Sequence, residues 1–295
     1  MKKSFLQLHI AVLLAGFTGV LGRLITLNEG LIVWYRLLIT GITLWILFHA
    51  TKKLQKISSK DMLQLTGAGF VSALHWVFFY ASIKYANVSI ALVCFSVISF
   101  FSSFLEPLLN RVRINRIELL FGLMNVFGIW LIFQFDTRYK SGIVLGLVSA
   151  FFGALFPILL KIKMQRINMQ TVLTWQMTGG FVTLSLVMPF YLKAFPVSSL
   201  VPSASDFLWL LMLAWLCSVI AFQFAMNALK KLSAFTVNLS YSMEPVYGII
   251  MAFAIFKENQ VLNTGFYLGT AVIFSTLVLH TLLLKRKHKE RALVQ

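Results

Sequence analysis

Residues 4–27 read SFLQLHIAVLLAGFTGVLGRLITL, with one charged side chain, Arg23, in the whole run. As an α-helix rising 1.5 Å per residue, this run would extend about 36 Å, enough to cross a hydrocarbon layer of about 30 Å. Met1-Lys2-Lys3 ahead of it outlines a secretory leader. The run exceeds a leader's apolar region, however, and shows no small-x-small cleavage site near its end. It reads as a spanning helix, Ser4–Leu27.

Runs of the same kind recur along the chain. They cover Leu31–Ala50, Met62–Ser82, Asn87–Leu108, Ile117–Phe135, Gly142–Lys161, Thr171–Leu192, Phe207–Leu229, Phe235–Phe256 and Leu262–Leu284. With the first they predict ten transmembrane helices. Short connections separate them; one of the longer, Phe195–Ser205, holds Pro196, Pro202 and several serines, which is loop chemistry. Composition agrees. Of 295 residues 59% are apolar and 12% charged, and the mean hydropathy is +0.85. A soluble domain carries about 25% charged residues, and no core could hide this much hydrocarbon from water.

The net charge of +17 does not read as a nucleic-acid patch, because the basic residues fall between apolar runs. Of the 26 Lys and Arg, 19 fall on one set of alternate connections and ends, from Lys2 and Lys3 through Lys52–Lys60, Arg111–Arg116, Lys161–Arg166, Lys230 and Lys231 to the tail after Leu284. Five lie on the other set: Lys84, Arg138, Lys140, Lys193 and Lys257. The positive-inside bias then predicts both termini in the cytoplasm and an even number of helices. Cys94 and Cys217 are the two cysteines; both sit in apolar runs, which argues against a disulfide scaffold or a thiolate metal site.

A shift of about 147 residues lays the third to fifth helices on the eighth to tenth. Ala81 then meets Ala228, Lys84 meets Lys231, Leu92 meets Leu239, Gly122 meets Gly269 and Phe127 meets Phe274. Five helices per unit is an odd number, so the second unit enters from the opposite side. The expected organisation is all-α, with residues 1–140 and 141–284 as two inverted five-helix repeats and 285–295 as a basic cytoplasmic tail. Inverted repeats suit alternating access, because one kind of unit in two orientations supplies an inner and an outer gate.

The stretch Ala234-Phe235-Thr236-Val237-Asn238-Leu239, Met243-Glu244-Pro245-Val246 and Lys257-Glu258 resembles the EamA family of the drug/metabolite transporter superfamily, as does Trp34-Tyr35-Arg36 near the start of the second helix. The resemblance covers the chain in length, helix count and repeat. In the first half Ile98 stands opposite Pro245, and Arg111 opposite Glu258. The resemblance implies secondary transport of small solutes, such as export of amino acids and related metabolites. Import or exchange on the same scaffold, and a non-transporting membrane enzyme or sensor, are the rival readings.

Glu244 lies near the middle of the ninth run, where a charge costs several kcal/mol unless paired or wetted. Pro245 is expected to kink that helix and free the carbonyl of Tyr241. Asn238, Tyr241 and Pro245 share one side of it, and Thr236, Ser240 and Glu244 an adjoining side. On the third helix Ser72, His75, Trp76 and Phe79 form a stripe, and on the eighth Trp215, Ser218 and Phe222 form another. Either stripe fits solute contact or plain helix packing. Pro157 is expected to bend the sixth helix as a gate. Arg23 and Arg36 are expected to snorkel to the outer headgroups, with attraction of an anionic group, or pairing with Glu29, as the second reading; Trp34 and Tyr35 are expected in the aromatic belt.

The spacings Gly142-x-x-x-Gly146 and Gly265-x-x-x-Gly269 permit close helix approach and leave a homodimer open. The chain has no Walker loop, no HExxH and no GxSxG, so ATP hydrolysis and these hydrolytic chemistries are not expected. No cofactor, metal or nucleic acid is expected. The expected partners are a small solute and the lipid bilayer, and the expected location is a prokaryotic inner membrane.

Overall fold

The computed structural model describes the chain except residues 1, 112, 136, 162, 230, 233–236, 238, 239, 242 and 295, with backbone alone at 2, 135, 137, 229, 280, 281 and 284–294. The described residues form helices and connections, with no strand among them. The helices are α1 (Lys2–Leu24), α2 (Glu29–Ala50), α3 (Ser59–Tyr85), α4 (Val88–Phe95), α5 (Ile98–Asn110), α6 (Arg116–Phe135), α7 (Lys140–Lys161), α8 (Met169–Ala194), α9 (Ala204–Ala214), α10 (Ala221–Leu229), α11 (Glu244–Phe256) and α12 (Thr264–Val294). A π-helical turn, Trp215–Ile220, joins α9 to α10.

Among the described residues eight helices are long and apolar enough to cross a membrane, counting α4 with α5 and α9 with α10 as single spans. The apolar segments Glu244–Phe256 and Thr264–Leu279 are shorter. Five of the first eleven residues of the expected ninth run, Phe235, Thr236, Asn238, Leu239 and Ser242, lie outside the described residues. Large apolar side chains such as Ile46, Leu120, Leu186, Phe190 and Leu268 point outward. In water such a surface would aggregate; in lipid it is ordinary. The protein is a multi-pass membrane protein.

Side-chain caps set several of the starts. Asn28 accepts from the Leu31 amide, Asn87 from Ile90, Asn168 from Thr171, Ser58 from Asp61 and Ser203 from Asp206, at 2.8–3.1 Å. Each satisfies one donor that an α-helix leaves orphaned, an effect worth about 1 kcal/mol. Both halves also contain a 13-residue helix ended by a left-handed residue: α5 by Arg111 (φ 54°) and α11 by Lys257 (φ 55°). In the first half a break at Ser96 and Val97 divides what the sequence predicts as one continuous helix.

The two halves pack into each other. α3 lies along α7 and α8, α1 runs against α10 and α11, and α6 packs on α12. Glycines allow this close approach. A Cβ on Gly69 would sit 2.2 Å from the Gln176 carbonyl oxygen, and one on Gly128 would sit 2.8 Å from that of Gly269. Gly142 and Gly146 are likewise filled from within, by Ala86, Ser82 and Cys94. Three of the glycines in the two GxxxG pairs thus serve packing inside one protomer.

Candidate functional site

At mid-span the most unusual side chain is Arg36, the eighth residue of α2, about 10 Å along the helix from its start. It is 4% exposed. The guanidinium donates through Nε to Ser218 Oγ at 3.1 Å and through Nη1 to the Tyr80 hydroxyl at 2.9 Å. Its carbon lies 4.2 Å from the centre of the Trp76 ring. This corrects the expectation of a headgroup-seeking arginine: the side chain turns into the bundle, where α3 and the π-turn meet α2. Of its neighbours in the chain, Trp34 donates through Nε1 to Ser185 Oγ of α8 at 2.8 Å, and Tyr35 donates to the carbonyl of the exposed Leu200 in the connection before α9.

Magnitudes show how such a burial survives. A lone Arg at the centre of a bilayer helix costs about 2.5–3.5 kcal/mol on insertion scales. Two hydrogen bonds to a charged group return about 1.5–3 kcal/mol each, and a cation–π contact about 0.5–2. These gains offset the penalty with neutral partners alone. Among the described residues no carboxylate lies within 4.0 Å of the guanidinium.

The partners are themselves held. The Tyr80 ring lies against Gly22 of α1, where a Cβ would be 2.4 Å from it. The Ser218 hydroxyl donates to the Leu213 carbonyl five residues back, at 3.3 Å, which belongs to the widened π geometry. Such turns recur at functional positions because they redirect a side chain. Glu244 opens α11 at its first residue and is half-buried. Gly16 of α1 packs on its carbonyl. Pro245 is the second residue of that helix; Ser240 and Tyr241 before it are helical too, and residue 242 between them lies outside the described residues. At the second position of α11 the missing amide of Pro245 costs nothing and its fixed φ favours initiation.

The other sequence-derived candidates divide. Trp76 and Ser218 meet at Arg36. His75 faces α7: its Nδ1 lies 3.0 Å from the Ser149 carbonyl, while the Ser149 hydroxyl donates to the His75 carbonyl at 3.0 Å. Phe79 is buried against His75, Tyr80 and Phe95. Ser72 bonds its own helix at Gly69. Trp215 points away from the cluster, 46% exposed, with Nε1 donating to Thr43. Phe222 is a half-buried contributor to the core. Tyr241 packs with Leu8, Val12, Ala228 and Val237 between α1 and α10. Ser240 is buried, Pro157 lies exposed inside α7, and Asn238 lies outside the described residues.

Polar ties close the bundle above and below this cluster. At the end where α3 begins, Asp61 accepts from Lys163 at 2.9 Å and from Arg166 at 2.5 Å, both in the connection between α7 and α8. The carboxyl of Asp61 is held below the usual carboxylate range, chiefly by the hydrogen bond from Lys163. At the other end Asp206 accepts from the Thr26 amide at 2.7 Å and its hydroxyl at 2.6 Å, in the connection between α1 and α2. Lys84, at the end of α3, donates to the Leu27 carbonyl beside it. A cavity of about 600 Å³ opens there, lined among others by Asn28, Glu29, Lys84, Ser198 and Asp206. Glu258, buried after α11, accepts from the amides of Val88 and Ser89 at 3.0 and 2.8 Å and from the Ser89 hydroxyl at 2.6 Å.

A family model described as EamA-like transporter family matches residues 2–134 and again residues 140–282. The chain belongs to the EamA family. No curated protein matches the chain. One solved structure, titled only as the crystal structure of a protein, shares 15% identity with this EamA chain, with a TM-score of 0.62. The match covers 95% of this chain and 98% of the other and speaks to the fold alone. Sequence reasoning on the EamA chain preferred headgroup snorkelling for Arg36 and put attraction of an anionic group second. The available signal was its depth in the run: seven residues of α2 separate it from the helix start.

Proposed function

We propose that this EamA protein is a secondary transporter that exports amino acids or related small metabolites across a prokaryotic inner membrane by alternating access. In this reading residues 1–140 and 141–284 are inverted five-helix units, ten spans in all, with both termini cytoplasmic. The solute sits at mid-depth, beside Glu244, Tyr241, Ser240, Trp76 and Ser218. The observation that carries the reading is the cluster of Arg36, Trp76, Tyr80 and Ser218, a polar centre inside apolar spans. In the first half a span is interrupted at Ser96 and Val97, and in the second α11 starts at Glu244. Discontinuous helices at matching places in two repeats are the usual pointer to a transporter's binding site. The Asp61 and Asp206 ties, at opposite ends, then act as the gates that open in turn. With no nucleotide-binding loop, the gradient of the solute or of an ion drives the cycle.

The test is efflux of labelled amino acids from proteoliposomes. Glu244→Gln is expected to lower the rate at least tenfold and to flatten its dependence on pH. A wild-type protein that moves none of the amino acids or other metabolites screened would sink the reading.

A further inference from the structure

We infer that Arg36 receives the carboxylate of the transported solute, and that Trp76 closes one face of that subsite. The inference rests on the transporter reading and assigns the residue that would hold the carboxylate of its amino-acid solute, restricting the class to zwitterionic amino acids and close amino-carboxylates. The guanidinium carries five donors in a planar fork, and two of its nitrogens are engaged by neutral groups, Tyr80 and Ser218. A buried arginine whose described partners are neutral lacks the anion that its fork fits best, a carboxylate or a phosphate.

Three elements fix this fork in advance: α2 carries it, α3 holds it through Trp76 and Tyr80, and the π-turn holds it through Ser218. A preorganised donor loses less freedom on binding than a mobile lysine would. Charge decides between the two anions: one guanidinium matches a carboxylate and leaves half of a phosphate dianion unpaired, and Glu244, the acid that opens α11, suits a solute bearing its own ammonium group. The apolar Trp76 face and the single cation fit a monoanion. In this pose the carboxylate meets Arg36 and the ammonium turns toward Glu244.

Counterflow into liposomes holding the full-length protein tests this, with each of the twenty common amino acids as labelled probe. For any amino acid taken up, its α-amide and its decarboxylated amine are then added as competitors. The expected result is uptake of at least one amino acid, with amide and amine competing more than tenfold more weakly than the unlabelled acid. Arg36→Lys, which keeps the charge and loses the fork, is expected to raise the half-saturating concentration at least tenfold with thermal stability retained. Arg36→Gln is expected to abolish the preference for acid over amide.

Amide or amine competing as well as the acid would overturn the carboxylate site and leave the transporter reading standing. So would uptake of none of the twenty amino acids by a protein that moves a carboxylate-free metabolite in the efflux screen. An unchanged acid-to-amide ratio in Arg36→Lys and Arg36→Gln would equally remove Arg36 from recognition. Failure to move any solute would remove both readings together.

Discussion

Gly67 and Gly69 stand two residues apart on α3 and face different surroundings. A Cβ on Gly67 meets nothing within 4 Å, whereas one on Gly69 would stand 2.2 Å from the Gln176 carbonyl oxygen and 2.6 Å from the Gly180 nitrogen. These neighbours are backbone, so no rotamer change relieves the clash, and α3 and α8 must separate. Overpacking of this kind costs about 1–3 kcal/mol and occasionally more. Gly69→Ala is therefore expected to lower the thermal midpoint in detergent by several degrees. Gly67→Ala is expected to hold it or raise it slightly, because alanine gains roughly 1 kcal/mol over glycine in a helix. Equal midpoints for the two variants would contradict the tight α3–α8 seam. The seam was not legible in the sequence, since both glycines look alike until the partner helix is placed. Arg36 illustrates the same blindness. Its contacts come from residues 44 and 182 positions away, and Trp34-Tyr35 ahead of it imitates an interfacial belt.

At the scale of the element, apolar run length located the helices well, because spanning a bilayer demands about 20 residues whatever their order. Interruptions were harder. The break at Ser96 and Val97 contains neither Gly nor Pro, and the turn Trp215–Ile220 has no marker in its composition. Glu244-Pro245 was legible as a discontinuity, and α11 starts there. Glu258 was legible as a motif residue, while its work is visible only in the fold. It serves as an external cap for α4, satisfying two orphan amides with a full charge at the positive end of the helix dipole. A hydrogen bond to a charged group contributes about 1.5–3 kcal/mol, and these bonds act as a unit, so Glu258→Ala is expected to destabilise by about 3 kcal/mol. Glu258→Gln keeps one carbonyl acceptor and should lose less. Thermal unfolding of the purified protein checks the order wild type, Gln, Ala; an unchanged midpoint in the alanine variant would show that α4 holds its start without the cap.

Across the whole molecule the two halves are tied at both ends, and the ties differ in strength. Asp61 faces two cations at one end, while Asp206 faces an amide and a hydroxyl at the other. A carrier that opens each end in turn must break one set while the other holds, so weakening either should bias the protein toward the state open on that side. Cys217 reports the bias. It is buried next to Ser218; Cys94, the other cysteine, is buried as well and is changed to serine so that one thiol reports. Losing about 1.4 kcal/mol from one tie shifts a two-state balance roughly tenfold. In the Cys94→Ser background, Asp206→Asn is expected to speed labelling of Cys217 by an impermeant thiol reagent added on the Asp206 side. Asp61→Asn should speed it from the opposite side. The Asp61 effect carries a pH signature. Its carboxyl is held below the usual range, so the tie is complete above the unperturbed carboxylate pKa and weakens as pH falls through the lowered value. Acidifying the Asp61 side should therefore mimic Asp61→Asn only at strongly acidic pH, and near pH 7 the wild type should stay closed there. Labelling that ignores both substitutions from both sides would show that these ties are static braces, and the gates would have to be sought elsewhere in the bundle.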